Sequence, residues 1–94
     1  MIHVGVLTID FQVTDSLSLK HKRFVLRSIR DRVRQSFNVS VAEVDHQDKW
    51  QASTFGVSAV SNEKKHLDAT LNKVKDFFEK QRNIVVTDHQ MEII

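Results

Sequence analysis

The side chains with the clearest capacity for chemistry are basic and recur at helical spacing in the first third of the chain. Intervals of three, four, three and four residues place them in one row on a single face of an α-helix. They are Lys20, Arg23, Arg27, Arg30 and Arg34. Because guanidinium and ammonium groups bind phosphate oxygens, this row, here called the basic stripe, predicts an anionic partner.

Positive charge is concentrated around the basic stripe. Residues 16–37 contain seven Lys and Arg against one acid, Asp31, which is a local charge of +6. The formal net charge of the chain is only +2, so the other 72 residues sum to −4. This separation favours nucleic acid, and RNA in particular, as the partner. The alternatives are a solvated helix face paired with acids such as Glu43, Asp45 or Asp48, and an acidic protein partner.

Three other side chains are candidates for an interface. Phe24 lies beside the stripe, where it could stack on a base or cover a neighbouring loop. Trp50 is the only Trp and stands in a polar stretch, as a dimer contact or a ligand contact often does, although it could also complete the core. Gln47, close to it, could hydrogen-bond a partner.

The acidic segment around His46 is a weak candidate for chemistry. Asp45, His46 and Asp48 would alternate between the two faces of a strand, so they would not converge on a metal ion. The chain has no Cys, no Gly-rich phosphate loop and no Ser/His/Asp or HExxH pattern. We therefore expect no metal, no cofactor and no catalytic residue. A small enzyme or ligand-binding domain that uses the acidic loop is a third hypothesis.

The length and composition predict one domain that spans residues 1–94. The chain is 40% hydrophobic and 28% charged, with two Gly and no Pro, which is typical of a compact globular unit without linkers. No apolar run approaches the roughly 20 residues that cross a bilayer, and the start does not resemble a signal peptide. We therefore expect a cytoplasmic protein without a membrane partner.

Alternation of apolar residues predicts four strands, and helical periodicity predicts two helices between them. The strands are expected at 2–13, 38–45, 53–61 and 83–94. The first helix begins near Ser16 or Ser18 and ends near Ser36. The apolar residues expected in the two helix cores are Leu19, Val25, Leu26, Ile29, Val33 and Phe37, and then Leu67, Leu71, Val74 and Phe78. With right-handed crossovers, this order predicts the α+β ferredoxin-like fold, a four-stranded antiparallel sheet with both helices on one face.

The apolar phase changes within the first and fourth strands and again near Val44. Such changes indicate bulges or strands that are apolar on both faces, and the uncovered sheet face could bind a ligand, nucleic acid or a second copy. The RRM shares this fold, and Phe55 loosely matches one of its base-stacking positions. Val57 and Val60 stand where further aromatics would be needed, so we expect contacts to phosphates and not to stacked bases.

Several segments resemble the YlxP-like family of small bacterial proteins of unknown function. These are SLKHKR at 18–23, FNVSVAEVDHQDKWQ at 37–51, GVL at 5–7 and GVSAVSN at 56–62. The similarity runs in order over nearly the whole chain. It implies a ferredoxin-like fold and a bacterial cytosolic protein, but no catalytic residues. Members tend to be encoded beside translation and ribosome-maturation factors, which implies a ribosomal particle or its RNA as partner.

The leading hypothesis is therefore a non-catalytic RNA- or ribosome-associated binding module that uses the basic stripe. The alternative from a different class is a homodimeric protein-interaction module with an acidic protein partner. It would dimerise through the open sheet face or through the edge near Trp50.

Overall fold

Six elements follow one another in the order β-α-β-β-α-β in the computed structural model, which describes residues 1–94. They are β1 (His3–Val13), α1 (Leu19–Ser36), β2 (Ser40–Asp45), β3 (Ala52–Ser61), α2 (Lys64–Glu79) and β4 (Ile84–Ile93). All neighbouring strands are antiparallel, and the strand order is β2-β3-β1-β4. The ferredoxin-like prediction is confirmed. The expected boundaries are close to those observed, although β2 begins two residues later than predicted.

The core forms between the helices and one face of the sheet. Alternation along β1 turns Leu7, Ile9 and Phe11 towards the helices, where each is at most 1% exposed. The rings of Phe11, Phe55 and Phe78 meet at centroid distances of 5.4 to 5.8 Å and join β1, β3 and α2. This packing fixes the sheet face on which both helices lie.

The changes in the alternation of apolar residues along the strands have two different causes. β1 pairs with β3 without a register shift, so its change of phase reflects apolar residues on both faces of the strand. The irregularity between β1 and β4 lies opposite Asp10 and Phe11. A second one lies at Val44, near its expected position, and Val44 packs over Gly56. A Cβ atom at Gly56 would lie 3.0 Å from Val44 Cγ1, so a larger residue there would require a small shift of the Val44 side chain.

The two helices bury different kinds of residue. α2 buries Leu67, Leu71, Val74 and Phe78, as predicted. α1 is capped by Ser18, whose hydroxyl accepts a hydrogen bond from His21 N at 3.1 Å. It buries four apolar side chains and one lysine: Lys22, Val25, Leu26, Ile29 and Val33. Leu19 and Phe37, which the apolar spacing predicts in the core, are only partly buried, and Phe37 packs against the core from its edge. Neither helix is both long enough and apolar enough to cross a membrane.

Candidate nucleic-acid interface

The basic stripe lies along the seam between α1 and the edge strand β2. Lys20, Arg23, Arg27 and Arg34 are exposed, and Arg30 is partly buried. Near the end of the helix, Arg34 Nη2 donates a hydrogen bond of 3.4 Å to the Val41 carbonyl on β2. The stripe borders the apolar arc of α1, as its spacing predicts, so its side-chain stems lie along the protein surface.

None of the five stripe residues forms a salt bridge. The ion pairs of the chain join Lys22 to Glu43, and Lys75 to Asp76 and Glu79. No ion pair therefore joins the stripe to Glu43, Asp45 or Asp48, and the solvated helix face stays an alternative. Five positive charges remain available to a partner.

Two other basic residues of α1 are engaged within the protein. Lys22 pairs with Glu43, and the guanidinium carbon of Arg32 lies 5.9 Å from the centroid of the Phe77 ring on α2. Arg32 Nε also points to the Ser28 carbonyl at 3.4 Å. Lys20, Arg23 and Arg27 are exposed without such a contact. Arg30 is partly buried, and Arg34 bonds to β2.

A cavity of about 220 Å³ lies under the middle of the stripe. Its lining residues are Arg23, Leu26, Arg27, Arg30, Glu43 and Phe55. Leu26 and Phe55 are buried and provide an apolar floor, whereas three guanidinium groups and one carboxylate provide polar walls. Arg30 Nε is buried without a hydrogen-bond partner, a state that costs about 1–3 kcal/mol for a buried polar group. This side chain therefore has bonding capacity that the protein alone does not use.

Lys22 connects α1 to β2, and its role was not predicted from the sequence. Its side chain is 1% exposed, and Nζ lies 3.0 Å from Glu43 Oε2 and 2.6 Å from the His46 carbonyl oxygen. Ser53 Oγ donates a second hydrogen bond, of 2.7 Å, to the same Glu43 Oε2. The only signal available was the position of Lys22 on the apolar arc, one turn before Leu26, because lysine is ordinarily expected at the surface.

The acidic segment after β2 forms structural contacts. His46 has a left-handed backbone with φ of 63°, and its Nδ1 lies 3.0 Å from Thr54 Oγ1. The Thr54 hydroxyl donates to Asp10 Oδ1 at 2.7 Å, and Asp45 Oδ1 accepts from His46 N. The chain brings together no group of three or more side chains that could hold a metal ion.

The three candidate interface residues all lie at the surface. Phe24 is 71% exposed on the outer side of α1, and Trp50 is 54% exposed in the β2–β3 connection. Gln47 is exposed in the same connection. Trp50 therefore does not complete the core, and Phe24 presents most of its ring to solvent.

The open face of the sheet has the opposite electrostatic character. Alternation places Asp10, Asp88 and Glu92 there without any Lys or Arg, and Asp10 lies directly opposite Asp88 in the ladder. Phe55 points towards the helices and is 1% exposed, so it cannot stack on a base as an RRM aromatic does. The stripe and the open sheet face therefore carry charge of opposite sign.

Comparisons with known proteins agree with the family resemblance. The model of a protein family described as "Protein of unknown function (DUF503)" matches residues 4–91. The "Uncharacterized protein YlxP" of Bacillus subtilis (strain 168) is 38% identical over 89 residues, covering 90% of this chain and 97% of the relative. The YlxP-like resemblance is thus confirmed.

One solved structure has a weaker likeness to the chain. It is that of a REP-associated tyrosine transposase bound to a REP hairpin, with a TM-score of 0.45 and 12% identity. The alignment covers 97% of this chain but spans only 55% of the transposase chain. At this level of similarity the match carries no functional argument.

Proposed function

This chain belongs to the DUF503 family of proteins of unknown function, and we propose that it is a non-catalytic module that binds RNA through the basic stripe. The observation that carries the proposal is that five cations share one helix face and none of them pairs with an acid. α1 contains seven Lys and Arg against one acid, whereas α2 contains four Lys against three acids, so the excess of positive charge is confined to α1.

The length of the stripe favours a polymer over a small anion. From Lys20 to Arg34 the helix rises about 21 Å, at 1.5 Å per residue. A nucleic-acid backbone repeats a charge every few ångströms and can therefore meet several stripe residues at once. A single phosphate or carboxylate could contact only one or two of them.

An aromatic side chain adds a second type of contact beside the stripe. Phe24 lies one helical turn from Lys20 and from Arg27 and is 71% exposed. Stacking of a base on such a ring contributes to single-strand binding without much sequence preference. The proposal therefore favours RNA that offers an unpaired nucleotide next to a row of phosphates.

The decisive experiment compares two charge reversals of equal size. Arg23→Glu with Arg27→Glu, and Lys65→Glu with Lys73→Glu on α2, each change the net charge from +2 to −2 at exposed positions. In fluorescence anisotropy with a labelled RNA hairpin that has an unpaired loop, we expect the first pair to weaken binding by about 100-fold. The α2 pair should weaken it by less than about threefold. Equal losses would contradict a role for the stripe.

The salt dependence provides an independent measurement. If all five stripe residues neutralise phosphates, the slope of log affinity against log salt should be roughly −4 to −5 on duplex-like RNA. A slope near −1 would exclude the stripe as the binding surface. Affinity capture from bacterial lysate should retain ribosomal particles at low salt and lose them at high salt, whereas retention of one acidic protein would favour the other class of partner.

A homodimeric interaction module is the second candidate, and exposed apolar residues favour it. Val44, Val60 and Val85 are more than half exposed on the open sheet face, and Trp50 is 54% exposed nearby in sequence. Such residues contribute to interfaces when they are covered by a partner. Light scattering at several protein concentrations tests this candidate, because a strict monomer at all of them would exclude the dimer.

A further inference from the structure

One carboxylate lies among the arginines of the seam, and one of its oxygens is free. Glu43 lines the cavity together with Arg23, Arg27 and Arg30. Lys22 and Ser53 both bond to Oε2, and Oε1 has no partner in the chain. Oε1 is not among the buried unpaired atoms, and the Glu43 side chain is 22% exposed, so solvent or a ligand can reach this oxygen.

The ion pair with Lys22 explains why a carboxylate can lie among the arginines, but it involves Oε2 and leaves Oε1 without a partner. A carboxylate repels a phosphate, so a seam that bound phosphates alone would be weakened by an accessible acceptor at its centre. The ligand group that fits must donate a hydrogen bond to Glu43 Oε1 while it lies beside a phosphate held by the arginines.

The ribose 2′-hydroxyl has this combination of properties. It is both a donor and an acceptor, it lies next to the phosphates of an RNA strand, and DNA lacks it. A carboxylate that accepts from a ribose hydroxyl is also the arrangement by which dinucleotide-binding folds hold their sugars. We propose that Glu43 accepts a hydrogen bond from a ribose 2′-hydroxyl, so that this cavity is a ribose-phosphate subsite that selects RNA over DNA.

The surroundings of Glu43 suit a selective contact. Bonds from Lys22 and Ser53 hold Oε2 in place, which fixes the direction of Oε1 before any ligand arrives. The cavity of about 220 Å³ has room for one sugar or phosphate group and not for a base pair. The inference rests on the proposed function: the basic stripe supplies affinity for any nucleic acid, and Glu43 supplies the preference for RNA.

The test measures the affinity of the protein for one nucleotide sequence prepared as RNA, as DNA and as 2′-O-methyl RNA. Wild-type protein should prefer RNA to DNA by about tenfold, equivalent to about 1.4 kcal/mol. It should bind 2′-O-methyl RNA like DNA, because methylation removes the donor and keeps the phosphates. This comparison needs no protein variant, so it is independent of any effect of mutation on folding.

Glu43→Gln provides the matching change in the protein. Its amide carbonyl can still accept from Lys22 and Ser53 while its NH₂ group replaces the free acceptor, so the RNA and DNA affinities should agree within about twofold. Glu92→Gln makes the same charge change on the open sheet face and should keep the tenfold preference. Circular dichroism checks that both variants are folded.

The measurements distinguish failure of the role of Glu43 from failure of the proposed function. If wild type binds RNA and DNA equally and Arg23→Glu with Arg27→Glu abolishes both, the stripe binds nucleic acid and the role of Glu43 is wrong. A tenfold preference that persists in Glu43→Gln or with 2′-O-methyl RNA also overturns the inference. If wild type binds neither nucleic acid, the proposed function itself fails.

Discussion

The two helices pack on the same face of the sheet but differ in net charge, because α1 has seven Lys and Arg against one acid and α2 has four Lys against three acids. α2 buries only apolar residues, and its Lys75 lies 3.6 Å from both Asp76 and Glu79. α1 buries Lys22, and its five stripe cations have no acidic partner. Since both helices are amphipathic and similar in length, the fold does not require the excess of positive charge on α1. This excess is what the proposed RNA-binding role needs, and α2 does not have it.

The helices also differ in how they begin. Ser18 accepts a hydrogen bond from His21 N at the start of α1, whereas Glu63 at the start of α2 makes no side-chain capping bond. The helix start with a side-chain cap is therefore the one next to Lys20, the first residue of the stripe.

The largest effect is expected from the apolar contact that attaches α2. Phe78→Ala should lower the free energy of unfolding by about 3–5 kcal/mol, because a fully buried ring is replaced by a cavity. Urea denaturation measures the change. A loss below about 1 kcal/mol would show that α2 does not depend on this side chain and would weaken the contrast with α1.

The next effect concerns the polar contact that attaches α1. Lys22→Ala should cost about 2–3 kcal/mol, because Glu43 and the His46 carbonyl lose their partner. This is less than for a fully buried ion pair, since 22% of the Glu43 side chain is exposed to solvent. Combining Lys22→Met with Glu43→Met should recover most of the stability by removing both charges. If the double variant is no more stable than Lys22→Ala, the ion pair does not explain the burial of Lys22.

A smaller effect is expected from a single stripe residue. Arg27→Gln should weaken RNA binding by about fivefold at 0.15 M salt and reduce the steepness of the salt slope by about one. Lys73→Gln on α2 is the matched control and should change neither quantity. Equal effects of the two substitutions would mean that RNA responds to net charge and not to the stripe.

The smallest expected changes in stability come from substitutions at the N-caps of the two helices. Ser18→Ala should cost about 1 kcal/mol, whereas Glu63→Ser should gain about 0.5 kcal/mol by adding the cap that α2 lacks. Thermal unfolding measures both changes. Destabilisation by Glu63→Ser would indicate that Glu63 supports α2 in a way that does not involve capping.

The stripe and the apolar faces of the helices could be read from the sequence because they depend on local geometry. A helix repeats every 3.6 residues, so the spacing from Lys20 to Arg34 places these side chains on one face wherever the helix packs. The same repeat correctly predicts the four buried residues of α2, and the two-residue period of a strand predicts the alternation of β3. The role of the stripe in binding RNA stays a prediction.

Contacts between distant segments were decided only by the tertiary structure. Lys22 is buried because β2, some twenty residues later, brings Glu43 beside it, and because the turn that follows aims the His46 carbonyl at the same ammonium group. The spacing of residues within a helix or strand does not predict which residue of an edge strand contacts a helix. A shift of one residue in the pairing of β2 with β3 would turn Glu43 to the other face of the sheet. The sequence by itself therefore determined the elements and the row of cations, whereas strand pairing decided which cation is buried and which carboxylate oxygen remains free.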